Sequence, residues 1–151
     1  MKREKGESMV FDTSVFVEMA SGSKLGGMAY DILVKEGLYA ITTELNIAEL
    51  KYILCRRVSW RSSLEKVNKL LQSGYVEVLP VSLFEDHAAL LKCNRAISII
   101  DCFTISAGEV LGVRTLFAKH EEELDRELRK KPFGTEILFL EDWIDNYSSR
   151  D

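Results

Sequence analysis

The sequence is poor in residues that interrupt or staple a chain. Of 151 residues only two are proline and nine glycine, which excludes collagen-like order and argues against disorder. Three cysteines, Cys55, Cys93 and Cys102, form no C-x-x-C pair. They read as reduced thiols, with no disulfide framework. Two histidines, His87 and His120, join them without the spacing of a structural zinc site. No apolar run approaches the roughly 18 residues of a membrane span, so no membrane association is expected. The opening MKREKGES is charged and has no apolar segment behind it, so no secretory signal is expected and the protein reads as cytoplasmic. Positive charge is also short, since 20 Lys and Arg face 24 Asp and Glu for a net charge of −4. The chain as a whole is therefore not an electrostatic binder of nucleic acid. An acidic substrate would need a local basic patch or a bound cation. Glycine-rich phosphate loops and a nucleophile elbow are missing too.

What is present is a regular alternation of strand-like and helix-like segments. Ser8–Phe11 is a short apolar run that stops at Asp12, so it reads as a buried strand. A helix is expected over Thr13–Met19, capped by Thr13 or Ser14. SGSKLGG at 21–27 reads as a flexible turn. Tyr30, Leu33 and Val34 follow at helical spacing, closed by Gly37. Leu38–Thr42 is a second strand. Leu45, Ala48, Tyr52 and Cys55 suit the buried face of a helix. Trp60, Leu64, Val67, Leu70 and Leu71 suit the next one, ended by Gly74. Tyr75–Leu79 is a third strand. Helices are expected at about Ser82–Lys92 and Ile99–Leu111, then a fourth strand at Val113–Phe117. Residues 119–131 are a loop or a solvated helix. Glu136–Leu140 is a fifth strand and Glu141–Tyr147 a closing helix. This pattern predicts one α/β domain over 9–147 with a mainly parallel five-stranded sheet, and short tails at 1–8 and 148–151.

In such sheets, sites form beyond the carboxyl ends of strands, where strand order reverses. Asp12 falls at such an end, in VFDTSVF, and taken alone reads first as a helix cap and next as a site carboxylate. Glu49 lies in LNIAELKYIL among Ile47, Ala48, Leu50 and Ile53, where an acid wants donors or a cation. Asn46, three residues earlier, shares its helical face and either lines the same site or starts the helix. Asp101 stands amid Ile99, Ile100, Cys102 and Phe103, where an unpaired acid is expensive to bury. Thr104 faces the same way. After the fourth strand, AKHEEELD offers Glu121, Glu122, Glu123 and Asp125, a run that also suits a solvated face. Lys51, Arg56, Arg57 and Arg61, or Lys119 with Arg126, Arg129, Lys130 and Lys131, could touch phosphates or be ordinary surface. Tyr39, Tyr52 and Trp60 suit either a core or a stacking surface. Cys102 reads as a buried structural thiol.

Carboxylates that converge from distant segments repel one another, and a hard divalent cation relieves that repulsion. Such a site suits phosphodiester hydrolysis. The segments VFDTSVFVE, ITTELNIAELKYIL, AISIIDCFTISAGEVLGV and LFAKHEEEL, in that order, resemble the PIN domains, and within them the VapC-like toxin ribonucleases. The resemblance implies a three-layer α/β/α fold and an acidic pocket for Mg2+ or Mn2+. It implies Asp12, Glu49 and Asp101 as the first three acids, with Ser14 supporting the first. The last motif departs from the family's Thr-x-Asp: Ala118 replaces the threonine, and Glu121, or alternatively Glu123, stands for the acid. The resemblance further implies an RNA substrate, a homodimer and a small antitoxin partner. A catalytically weak or inactive PIN-like RNA-binding or assembly module is the alternative that the altered last motif motivates.

Overall fold

The computed structural model describes residues 7–148. The expected tails therefore lie outside the described residues, apart from Glu7, Ser8 and Ser148. Glu7 is tied to the amino end of the sheet at its centre: its carbonyl accepts from Tyr39 N at 2.8 Å and its carboxylate meets Arg114 at 2.8 Å.

Five short strands form one parallel sheet: β1 (Ser8–Phe11), β2 (Tyr39–Thr43), β3 (Val76–Leu79), β4 (Arg114–Phe117) and β5 (Ile137–Phe139). Their order across the sheet is β3-β2-β1-β4-β5, with Val10 opposite Ile41 on one side and Thr115 on the other. The chain thus builds outward from β1 in one direction, then crosses over and builds outward in the other. The reversal leaves a crevice between the carboxyl ends of β1 and β4.

Side chains alternate across each strand. Met9, Phe11, Ala40 and Leu116 enter one core, covered by α1 (Thr13–Ser21), α2 (Lys24–Val34), α3 (Glu44–Arg57) and α4 (Trp60–Gln72). Val10, Ile41 and Phe117 enter the other face, under α5 (Glu85–Asn94), α6 (Ile99–Leu111) and α7 (Glu122–Lys130). A short α8 (Ile144–Ser148) closes the described chain. Burial on both faces of the central strand β1 explains its continuous apolar run SMVF.

Four local expectations are corrected. The cap of α1 is neither Thr13 nor Ser14 but Asp12, whose carboxylate accepts from Ser14 N at 3.0 Å. The stretch 21–27 is not one flexible turn. Only Gly22, in the left-handed region at φ 69°, and Ser23 break the helices, and Ser23 caps α2 by accepting from Gly26 N at 3.1 Å. Gly26 sits inside α2 because its Cα lies against the Glu18 carbonyl, where a methyl group would collide. A 3-10 turn at Val81–Leu83 delays α5 to Glu85. The buried face of α3 is Asn46, Ile47, Leu50 and Leu54, with Ala48 and Tyr52 exposed. The polar Asn46 belongs to the inward stripe, which rotates the helix away from the purely apolar reading.

Candidate functional site

Asp12 enters the crevice directly from β1. Its backbone N donates to Leu116 O of β4 at 2.8 Å, so its position is fixed by both central strands. The side chain is 5% exposed. Oδ2 accepts from Ser14 N, and Oδ1 faces the Thr104 hydroxyl of α6 at 3.2 Å. Burial pushes its pKa up, against the hydrogen bonds from Ser14, Thr104 and Thr13. Ser14 works twice, since its Oγ also accepts from Ala118 N at 3.0 Å and so pins the end of β4 to the start of α1.

Below Asp12 lies a fully buried polar hub. Asn46 Nδ2 donates to Thr13 Oγ1 at 3.0 Å and to Thr104 Oγ1 at 2.9 Å. Its Oδ1 accepts from Thr43 Oγ1 at 2.6 Å. Thr43 in turn caps α3, forming a reciprocal capping box with Asn46. The two sequence readings of Asn46 therefore coincide: it starts the helix and supports the site. Thr13 and Thr43 escaped the sequence reading. A threonine three residues before Asn46 at a helix start is the signal for the second, whereas Thr13 carries no signal beyond adjoining Asp12.

Three further carboxylates, Asp101, Glu49 and Glu121, feel the charge of Asp12. Asp101 sits in the first turn of α6, where Ser98 caps the helix by accepting from Asp101 N at 3.1 Å. Its pKa is pushed up to about 8, first by burial and then by the charges of Asp12, Glu121 and Glu49. Glu49 is raised by burial and by Asp12 and Glu121, with the Thr13 hydroxyl opposing. Glu121 occupies the N-cap position of α7, and its side chain makes no cap hydrogen bond. It is raised by burial and by Asp12 and Glu123. Glu121 thus shares the field of Asp12 and Asp101, while Glu123 acts on Glu121.

No Lys or Arg among the described residues forms an ion pair with Asp12, Glu49, Asp101 or Glu121. Lys119, two residues before Glu121, turns away to Glu18 at 3.6 Å. The four acids have raised pKa values, no protein cation and hard oxygen donors, the chemistry a divalent ion would relieve, and no three of them bring ligand atoms within 4.8 Å of one another. Oxygen ligands of this kind suit magnesium, which retains several waters and needs few direct carboxylate contacts. A tighter set lies outside the crevice: His120, Glu141 and Asp142 have ligand atoms within 4.8 Å of one another. There His120 stacks on Phe139 and bonds Asp125 at 2.9 Å and Asp142 at 2.7 Å. Those bonds, Asp125 first, raise its pKa, so the ring ties the β4–α7 connection to the turn after β5. Cys102 is fully buried and burial pushes its thiol up to about 11, which leaves it inert.

The five-stranded parallel sheet with helices on both faces and a reversal of strand order at β1 and β4 defines an α/β/α domain. The PIN domain family profile matches residues 9–129, and the chain belongs to the PIN domain family. Comparison with curated proteins finds no matching relative. Solved structures share the fold. The sarcin–ricin loop cleaving toxin VapC20 of Mycobacterium tuberculosis aligns with a TM-score of 0.63 at 17% identity, over 78% of this chain and 93% of that one. VapBC2 of Rickettsia felis, bound to a promoter DNA fragment, aligns at 0.63 and 11%, over 87% and 98%. DNA-bound VapBC of Salmonella typhimurium aligns at 0.61 and 12%, over 89% and 99%.

Proposed function

We propose that this PIN domain is a divalent-metal-dependent endoribonuclease, the toxin of a toxin–antitoxin pair. The observation that carries the reading is the set of four acids, Asp12, Glu49, Asp101 and Glu121, with no Lys or Arg paired to them among the described residues. The family and the VapC fold likeness supply the substrate class. When bound, Mg2+ or Mn2+ supplies Lewis acidity toward a phosphodiester and a lowered pKa for an attacking water.

The residues divide the remaining work. Asp12, held by Ser14 N and the Thr104 hydroxyl, is the fixed ligand. Asp101 and Glu121 offer oxygens from the other side of the crevice, and Glu49 orients water or takes its proton. Asn46, through Thr104 and Thr13, positions Asp12 without touching substrate. A small antitoxin protein is the expected partner, as in the VapBC complexes, and a homodimer in the cytoplasm is the expected state. No helix among the described residues is long and apolar enough to cross a membrane.

The test is cleavage of a mixed RNA pool with Mg2+ or Mn2+, comparing the native protein with Asp12→Asn. Cleavage lost in chelator and in the folded variant is expected. A folded native protein that cleaves no RNA with either ion refutes the enzyme. That result would favour a PIN-like RNA-binding or assembly module, with Ala118 in the altered last motif as the reason.

A further inference from the structure

The chain is acidic, yet one stretch of it is not. Between Glu49 and Glu65 there are four basic residues, Lys51, Arg56, Arg57 and Arg61, and no acidic one. This stretch is the second half of α3, its turn and the start of α4. The two helices lie side by side there, as Ser63 Oγ donates to Lys51 O at 2.7 Å.

The aromatics of this stretch are outside the core. Tyr52 is 47% exposed and Trp60 54% exposed. The Arg56 guanidinium lies 5.5 Å from the Tyr52 ring centre, within range for a cation–π contact. No carboxylate among the described residues pairs with Arg56 or Arg57, and Arg61 meets only Glu65, at a loose 3.4 Å with its own side chain 91% exposed.

Helical geometry connects this surface to the acids. Tyr52 and Arg56 are three and seven residues beyond Glu49, so they climb the same face of α3. Seven residues rise about 10 Å. A chain leaving the crevice past Glu49 therefore meets an aromatic ring, then the guanidinium over it, then Trp60 and the cations at the turn.

We propose that the α3–α4 tip is the docking surface for single-stranded RNA, with Tyr52 and Trp60 stacking bases and Arg56, Arg57 and Arg61 meeting phosphates. This rests on the ribonuclease reading and gives it a substrate track. Stacking platforms interleaved with cations are what single strands require, and bases offer a π-face whatever their sequence. A second copy of this chain is disfavoured at the same surface, because a two-fold contact would set four cations against four. In a molecule of net charge −4, concentrating cations here lets a polyanion approach beside an acidic crevice.

The test is fluorescence anisotropy of a short, labelled, single-stranded RNA of mixed sequence, in chelator so that nothing is cleaved. Trp60→Ala is expected to weaken binding about tenfold. Arg56→Gln with Arg57→Gln is expected to make the salt dependence shallower by about 1.4 in log–log slope. Lys35→Gln with Arg114→Gln removes the same charge at the amino end of the sheet and is expected to leave binding unchanged. All substitutions are at exposed or half-exposed positions, and circular dichroism verifies the fold. Tip variants that bind like the native protein overturn the proposal. So does an equal loss in the Lys35/Arg114 variant, which would make the effect one of net charge. Tip variants that keep RNA binding but change sedimentation overturn it in favour of a protein interface. Tip-dependent binding in chelator by a protein that cleaves nothing in Mg2+ or Mn2+ supports the docking surface while overturning the nuclease.

Discussion

Without a cation, Asp101 is expected to work against the fold at neutral pH. Its pKa is about 8 in the folded chain and 3.8 ordinarily. Between those values the folded state holds a proton that the unfolded state has released. Stability from this group is complete below pH 3.8 and declines as pH rises, until about pH 8. At about 1.36 kcal/mol per unit, the loss by pH 7 has a ceiling of about 4 kcal/mol. The pocket is partly solvated and its charges act through an effective dielectric near 20, so about half of that is the working figure. Asp101→Asn removes the charge while keeping the Ser98 cap, which uses the backbone N. The α6 dipole loses an anion in its first turn, which takes back about 0.5 kcal/mol. The net gain of about 1.5 kcal/mol corresponds to about 3–6 °C for a chain this size. Thermal unfolding in chelator, from about pH 5 to about pH 9, is the assay. The native midpoint should fall with pH and the variant's should fall less. Added Mn2+ should raise the native midpoint and leave the variant nearly unmoved. A variant less stable than the native protein in chelator near pH 7 would refute the reasoning.

Two further outcomes follow from the interior. Asn46→Ala strips donors and acceptors from three buried threonines, so a loss of about 3 kcal/mol is expected. Chemical denaturation measures it, and weaker Mn2+ binding should accompany it as Thr104 is freed from its register with Asp12. Gly26→Ala drives a methyl group into the Glu18 carbonyl, and helix displacement should cost about 2 kcal/mol by the same measurement. An unchanged denaturation midpoint in either variant contradicts the packing described.

The strands and the span of α6 are legible in the sequence because buried parallel strands and a capped apolar helix leave strong local marks. Asp12, Glu49 and Asp101 are legible one at a time, as acids in apolar surroundings near strand or helix ends. Their shared field is not, since it depends on β1 and β4 becoming neighbours. Gly26 misleads because a glycine needed for close helix packing looks the same as one that breaks a helix. The inward turn of Asn46 is hidden for a similar reason: its partners Thr13 and Thr104 lie 33 and 58 residues away. Period alone also leaves Tyr52 and Trp60 ambiguous, and only the packing of α3 on α4 puts them at the surface. His120 is tied to Asp142 from beyond β5, a partner that no local pattern around AKHEEELD announces.

The reversal of strand order has a consequence for synthesis. Asp12 emerges from the ribosome early, but Thr104 lies 92 residues behind it, and the strand that completes the crevice follows later still. A nascent chain can close the β1–β2–β3 half of the sheet while the pocket has one wall. Competence arrives only with the last third of the molecule, so interrupted translation yields fragments that carry Asp12 and Glu49 without Asp101 or Glu121. For the toxin activity proposed above, this topology would keep unfinished copies harmless.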